Sequence, residues 1–379
     1  MHIPAYMHSI YPTGVAVNKK RKFINNLLFY WSRKSCIVIV GTMKVMVTGG
    51  TGFVGSNSVA ALVRQGHSVR LLVRSLEKVK PALEPLGIDD IEAMAGDVLD
   101  RSSIERAAEG CEATLHCGSV YSLDPRMSAT ITHTNVAGTE NVLSVASSRG
   151  HDPIIHVSSY VALIGEKGGI ISPQCSPTYP PGTYFESKAE SDRVARMYQN
   201  RNIPVVITYP GSVWGPHDPH CGESCQMALS ILKNYWRFSV DGTLLVSDVR
   251  DIADLHAALM EKGRGPRRYL APTQNTSICN LFSLFSDITG RKIKTTALPG
   301  WSMRAAMQAV DLVQQALKMR LPFNYQAVYC STLQHVGDDS ATRKDFGIAA
   351  RPLRDTLGDQ VDWMVEKGLL EPQLAGKTL

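Results

Sequence analysis

From Lys44 to about residue 210 the chain alternates two patterns. Short β-branched apolar runs are followed by longer stretches in which apolar residues recur every three or four positions. The first pattern predicts strands and the second amphipathic helices. Val45–Thr48 predicts a first strand, followed by a glycine turn and a helix over roughly 55–65. Val69–Val73, Ile91–Ala95 and Ala113–His116 predict strands two to four. A long helix is expected through 135–148, a fifth strand at Ile154–Ser158, a helix over 182–200 and a sixth strand at Val205–Thr208. Strands that alternate with helices at this spacing predict an α/β fold: a doubly wound parallel sheet covered on both faces.

After about residue 210 the rhythm gives way to Gly/Pro/His-rich loop, shorter helices and isolated strands. This texture predicts a smaller C-terminal substrate lobe. The expected division is 1–42 as an N-terminal extension, 43–210 as a dinucleotide-binding domain, and 211–379 as a substrate lobe interleaved with late sheet elements. Within the lobe, Trp301–Pro322 is amphipathic, with Met303, Ala306, Val310, Val313 and Leu317 on one face. That face reads as core packing, or alternatively as a hydrophobic entrance or membrane-surface helix.

Composition changes the picture at one place. The 379 residues are 44% apolar and 20% charged, ordinary for a chain with a sizeable core, and the net charge is +6. Residues 1–42 hold Lys19, Lys20, Arg21, Lys22, Arg33 and Lys34 and no carboxylate. Without those six, 34 Lys and Arg face 34 Asp and Glu, so the remaining 337 residues are formally neutral. The body gives no reason to expect nucleic-acid binding. The leader reads as disordered or as an upstream start-site artefact, with Met43 the expected domain start; a membrane tether is the lesser reading. Its apolar runs, Leu27–Trp31 and Cys36–Val40, are split by Ser32-Arg33-Lys34-Ser35, unlike a secretory signal. No apolar run approaches the ~20 residues of a transmembrane helix. The eight cysteines are scattered and lack the density of a disulfide scaffold, so a reducing, cytoplasmic setting is the expectation.

The sharpest local signal is Val47-Thr48-Gly49-Gly50-Thr51-Gly52-Phe53-Val54-Gly55. Its glycines lie between a predicted strand and a predicted helix. Gly49 permits the tight turn, Gly52 lets backbone N–H groups reach a pyrophosphate, and Gly55 allows close helix–strand packing. Gly49, Thr51, Gly52, Phe53, Val54 and Gly55 are the candidate cofactor residues of the turn. The second strand ends in Val73-Arg74-Ser75 with no carboxylate before Glu77. Arg74 can pair with a ribose 2′-phosphate and Ser75 can donate to one, which favours NADP over NAD. A solvated strand-end cation is the competing reading. After the third strand, Asp97 beside Val98 could accept from the adenine amino group, or simply cap a turn.

Tyr184-Phe185-Glu186-Ser187-Lys188 falls in a predicted helix. Positions i and i+4 share a face, so Tyr184 and Lys188 can enter one cleft. An ammonium near a phenol favours phenolate and makes Tyr184 a usable acid/base. Ser158-Ser159 ends the fifth strand, where a hydroxyl could hold a substrate carbonyl.

With these residues the sequence resembles the extended short-chain dehydrogenase/reductase family, which includes NAD-dependent epimerases/dehydratases, dihydroflavonol reductases and 3β-hydroxysteroid dehydrogenases. The resemblance spans roughly residues 44–370. It is carried by Thr48–Gly55, Asn135–Leu143, Val157–Ser159, Tyr184–Lys188, Pro210–Pro216 and Asp248–Ala253. It implies a Rossmann fold, with Ser159 catalytic, Tyr184 the general acid/base, and Lys188 binding the nicotinamide ribose and lowering the Tyr184 pKa. It implies cofactor anchoring near Gly118 and at Pro210 and Val213. The sequence departs from the family pattern at Cys117 and Gly118, where small alanines are usual, and at Tyr209, where arginine is common. Tyr160 adds bulk near the pocket, either for substrate choice or as core.

The expected reaction is hydride transfer between NAD(P) and a carbonyl or secondary alcohol of a small, apolar, steroid- or flavonol-like substrate. A nucleotide-sugar epimerase or dehydratase is the alternative within the family. A non-catalytic dinucleotide sensor is the alternative outside enzymes. A homodimer is possible. His217, His220, Cys221 and Cys225 match a zinc site loosely, and a substrate loop without metal is the preferred reading. Asn135 reads as a backbone anchor, and Arg250-Asp251 as a local ion pair.

Overall fold

The computed structural model describes residues 27–30, 38–121, 127–180, 182–235, 237–240, 242–317 and 325–377. Two compact units result, Met1–Thr42 and Met43–Leu379. In the first, strands β1 (Leu27–Tyr30) and β2 (Val38–Gly41) pair antiparallel. The rest of the leader lies outside the described residues.

In the second unit, seven strands form one parallel sheet. They are β3 (Lys44–Thr48), β4 (Ser68–Val73), β5 (Glu92–Ala95), β6 (Ala113–His116), β7 (Ile154–Val157), β9 (Val205–Tyr209) and β13 (Arg267–Leu270), with β8 (Gly169–Ile171) lying apart from them. Their spatial order is β5-β4-β3-β6-β7-β9-β13, so the winding reverses between β3 and β6. Every residue of β6, β7 and β9 is buried, as near-continuous apolar strands covered on both faces should be. The predicted doubly wound sheet is present. The strands agree with the sequence pattern to within a residue or two. The seventh strand follows residue 210, so late chain returns to the sheet.

Helix α1 (Phe53–Arg64) packs on α6 (Val249–Ala258), with α2 (Arg101–Ala108), α3 (Gly138–Ser148), α4 (Thr183–Asn200) and α5 (Glu223–Leu232) between them in sequence. The predicted helix over 135–148 is regular only from Gly138, because His133–Ala137 forms a π-turn.

After β9 the chain builds a three-stranded sheet, β10 (Ser212–Trp214), β12 (Thr243–Asp248) and β14 (Gln274–Ser277). A parallel pair joins β11 (Phe238–Val240) to β15 (Thr296–Leu298), and β16 (His335–Gly337) pairs with β8. Helices α7 (Ile278–Thr289), α8 (Gly300–Leu317) and α9 (Leu353–Glu366) complete the lobe. Trp214, Phe282, Phe285, Leu357 and Met364 centre its core. The end of the predicted 301–322 helix, past Leu317, lies outside the described residues.

Arg250 does not pair with Asp251. Neighbouring helix residues point about 100° apart. Arg250 instead grips Asp248, with Nη2 2.6 Å from Oδ2, and reaches Asp359 on α9. Thr356 donates to the same Asp248 carboxylate, and Asp251 pairs with Arg351.

Three buried histidines bind helices to the sheet. His256 on α6 joins Ser58 on α1 (2.8 Å) to Thr208 on β9 (3.0 Å). His116 on β6 joins Thr48 (2.6 Å) to Thr139 on α3 (3.2 Å). His151 bonds Thr114. Burial lowers His116 and His256 from 6.5 to about 3. Between those values only the unfolded chain takes up the protons. Their contribution is therefore complete above about pH 6.5 and is lost as pH falls toward 3. At about pH 5 each should cost up to about 2 kcal/mol. The melting temperature should accordingly drop between about pH 7 and 5. His256→Gln should be less stable at neutral pH but lose less on acidification; an unchanged pH slope would refute this assignment.

Candidate active site

The reversal between β3 and β6 opens a crevice at their carboxyl ends, where a sheet of this kind binds ligands. The glycine turn forms one wall. Gly49 has φ +72°, and a Cβ there would lie 2.6 Å from the Gly118 nitrogen and 2.7 Å from the Cys117 carbonyl carbon. The turn therefore lies directly against the first residues after β6. A Cβ on Gly55 would lie 2.1 Å from the Gly49 oxygen, which enforces close packing of α1. On Gly52 it would meet only that oxygen, at 3.4 Å. Gly52 caps α1 with no side-chain hydrogen bond, so the first-turn amides of Phe53, Val54 and Gly55 have no side-chain acceptor from the cap. Thr51 completes the half-buried turn.

The far wall is the end of β4. Arg74 is exposed, with no carboxylate within ion-pair distance among the described residues. The Ser75 hydroxyl is buried and has no partner. Asp97 is committed in part: Oδ1 accepts from the Leu99 amide at 2.9 Å, and its backbone engages Ser103. This is the geometry of the turn reading. Val98 packs on Gly138, and its carbonyl accepts from Asn141. The open first-turn amides, the space above Gly52 and the orphaned Ser75 hydroxyl fit a nicotinamide dinucleotide.

The strand ends carry the reactive groups. Ser158 and Ser159 lie in extended backbone and so face opposite ways. Ser158 is buried toward Asp192, whereas Ser159 is half-buried and accepts weakly from the Val161 amide at 3.4 Å. Lys188 on α4 is buried, and its Nζ donates to the Val157 carbonyl at 3.3 Å, at the root of the serine pair. Burial lowers Lys188 to about 8, against the opposing pull of the Asp192 carboxylate. Cys117 is raised to about 12 by burial and stays a thiol. Tyr184 stands one turn earlier on the same helix face, with its ring edge-on to Tyr121 at 4.5 Å.

Burial raises the Tyr184 phenol well above its ordinary value. This corrects the expectation that Lys188 lowers it. Desolvation dominates, and the ammonium is directed to the Val157 carbonyl. In this arrangement Tyr184 is a protonated donor at neutral pH.

Asn135 anchors the floor. It accepts from the Val120 amide (2.7 Å) and donates to the Val120 carbonyl (3.0 Å) and to Ser187 (2.9 Å). It thereby places Tyr121 over Tyr184, a neighbour that no motif announced. Tyr160 is buried in the core beside His335, and its amide donates to Pro210. Tyr121 lies within electrostatic reach of Glu223, Tyr184, Tyr160 and Cys330, and Tyr160 within reach of Cys330 and Tyr184. Pro210 is buried, and Val213 packs on the sheet core. Tyr209, at the position expected to carry arginine, is buried and accepts from Arg196 at 2.8 Å.

The 217–225 segment forms a loop and the start of α5. Asp218 accepts from the His220 and Gly222 amides. Cys221 and Cys225 form a disulfide, their Cα atoms 5.1 Å apart. The four-residue spacing across the helix start brings the two sulfurs together. Among the described residues no group of three or more His, Cys, Asp or Glu could hold a metal.

The model of the NAD dependent epimerase/dehydratase family matches residues 45–271. Sterol demethylase protein B of Methylococcus capsulatus is 28% identical over 336 residues, 86% of this chain and 100% of that protein. A putative dihydroflavonol 4-reductase of Synechocystis is 29% identical over 86% of this chain and 96% of its own length. The crystal structure of gox2253 matches with a TM-score of 0.74 at 25% identity, covering 87% of this chain and 100% of that one.

Two glycine substitutions separate fold from binding in this crevice. Gly55→Ala should destabilise by about 1–3 kcal/mol, because its methyl meets backbone. Gly52→Ala should melt within about 1 kcal/mol of the parent yet bind dinucleotide about tenfold more weakly. Calorimetry with cofactor titration reads both. Equal dinucleotide affinity for Gly52→Ala and parent would disprove the cradle.

Proposed function

Because the chain belongs to the NAD dependent epimerase/dehydratase family, within the extended short-chain dehydrogenases/reductases, we propose that it reduces a carbonyl, or oxidises the matching secondary alcohol, on a small apolar substrate. The observation that carries this reading is Lys188 buried against the carbonyl of Val157, two residues before Ser159 in the chain, and one turn from Tyr184. When bound, the nicotinamide dinucleotide supplies or accepts the hydride. Ser159 donates a hydrogen bond to the substrate oxygen and fixes it. Tyr184 gives its phenolic proton to that oxygen in the reducing direction and takes one back in the oxidising direction. Lys188 holds the nicotinamide ribose.

The rings of Tyr121 and Tyr160 near Tyr184 support an apolar substrate over a sugar nucleotide, with the Glu223 carboxylate a polar group within reach of Tyr121. Among relatives, proteins with names of this kind include the putative dihydroflavonol 4-reductase and a 3 beta-hydroxysteroid dehydrogenase/Delta 5-->4-isomerase of Mycobacterium tuberculosis, 28% identical over 46% of this chain. A dehydratase needs further acid/base carboxylates by the serine, and Tyr160-Val161-Ala162 offers none. NADP is the preferred dinucleotide. Exposed Arg74 and the unpartnered Ser75 hydroxyl suit a 2′-phosphate, and no carboxylate stands at the strand end to repel it.

Tyr184→Phe should lower kcat for carbonyl reduction by about 10²–10⁴-fold while dinucleotide affinity holds. Undiminished turnover would sink the mechanism. Arg74→Ala should raise the Kd for NADPH by about tenfold and leave that for NADH nearly unchanged; equal losses would exclude the 2′-phosphate contact.

A further inference from the structure

Within the formally neutral body, two segments bounded by Glu223, Asp241, Asp287 and Asp311 carry charge of one sign. Residues 224–240 and 288–310 carry Lys233, Arg237, Arg291, Lys292, Lys294 and Arg304 and no Asp or Glu. The pairing of β11 with β15 holds these two segments side by side. Arg291 is tied to the Leu232 and Leu374 carbonyls and Arg304 to Thr332, whereas Arg237, Lys292 and Lys294 are exposed.

The same segments show large apolar side chains to solvent. Tyr235 is 81% exposed and Trp301 70%. On α8 the outward stripe is Trp301, Ala305, Ala309 and Leu312, at i, i+4, i+8 and i+11, with Leu312 67% exposed. Of the helix face expected to pack in the core, Met303 does so, whereas Ala306 and Val313 are exposed. Arg304 and Asp311 are the only charged residues of the helix. Exposed aliphatic stripes with interfacial aromatics and flanking cations are the features that place a helix in the headgroup plane of a bilayer.

We infer that α8 and the adjoining β11–β15 edge dock this protein on an anionic phospholipid surface. Charge complementarity selects that occupant. Two copies meeting through this face would set Arg237, Lys292 and Lys294 against their own counterparts, with Asp311 the single carboxylate on the helix to offset them. A phosphate-rich polymer would leave the Leu312 and Val313 stripe unused. Among the described residues no helix is long and apolar enough to cross a membrane, so the contact is peripheral. Its position bears on substrate entry. Helix α8 packs on Tyr325–Ser331, whose Cys330 belongs to the same cluster as Tyr160.

The test is co-sedimentation of the full chain with phosphatidylcholine vesicles, with or without about 30 mol% phosphatidylglycerol. Binding should be at least about tenfold tighter with the anionic lipid and should weaken as salt rises from about 50 to about 500 mM. Lys292→Glu with Lys294→Glu should weaken it about tenfold or more. Trp301→Ser with Leu312→Ser should weaken it comparably. Melting temperature and dinucleotide affinity should hold in both, and the charge pair decides if the apolar pair misfolds. Absence of binding by the parent overturns the proposal. So does binding that both variants retain, which would assign it to the cationic leader. A dimer in sedimentation equilibrium that Trp301→Ser with Leu312→Ser abolishes would assign the face to a second copy and equally overturn it. None of these readouts depends on turnover.

Discussion

The contact on which the rest of the molecule depends is the backbone approach of Gly49 to Cys117 and Gly118. No side chain fits between them. The contact is possible because the winding of the sheet reverses there, leaving β3 and β6 as neighbours with their connections leaving in opposite directions. Once the turn lies on Gly118, α1 starts with its amides aimed into the crevice. The chain beyond β6 then has one exit, over Val120, where Asn135 holds both backbone groups. Tyr121 and Tyr184 meet because of that exit.

A second principle operates below the site. The sheet interior is not purely apolar. Thr48, His116, Thr139, Thr208 and His256 are all buried and mutually bonded. A buried polar group is costly when unpaired and specific when paired. His116 ties β3 to α3 and His256 ties α6 to β9, so these bonds select one arrangement among many similarly apolar ones. Lys188 obeys the same logic. Its ammonium is tolerated in a dry place because a carbonyl and the Asp192 carboxylate lie nearby.

Local pattern was enough for the strands, the glycine turn and the Tyr184–Lys188 helix face, because each depends on neighbours within a few residues. It failed where partners come from far away. Arg250 took Asp248 and Asp359 in place of Asp251, since α9 arrives from 100 residues on. The Tyr184 phenol rises because burial is set by the folded wall of Tyr121 and Tyr160, not by its own helix. The pairing of Cys221 with Cys225 depends on how the loop enters α5. The exposed stripe of α8 has the same periodicity as a buried one, so sequence could not say which side faced water.

The Asp248 carboxylate has a temporal consequence. Two of its partners, Thr356 through hydrogen bonding and Asp359 through Arg250, belong to the last long helix of the chain. During synthesis a chain folds roughly from its amino end, at about 5–20 residues per second. The dinucleotide half can therefore collapse around its crevice several seconds before α9 has left the ribosome. Until then Asp248 and Arg250 have only each other and water. The contacts that tie Asp248 to α9 are closed last, after the sheet around the glycine turn has formed.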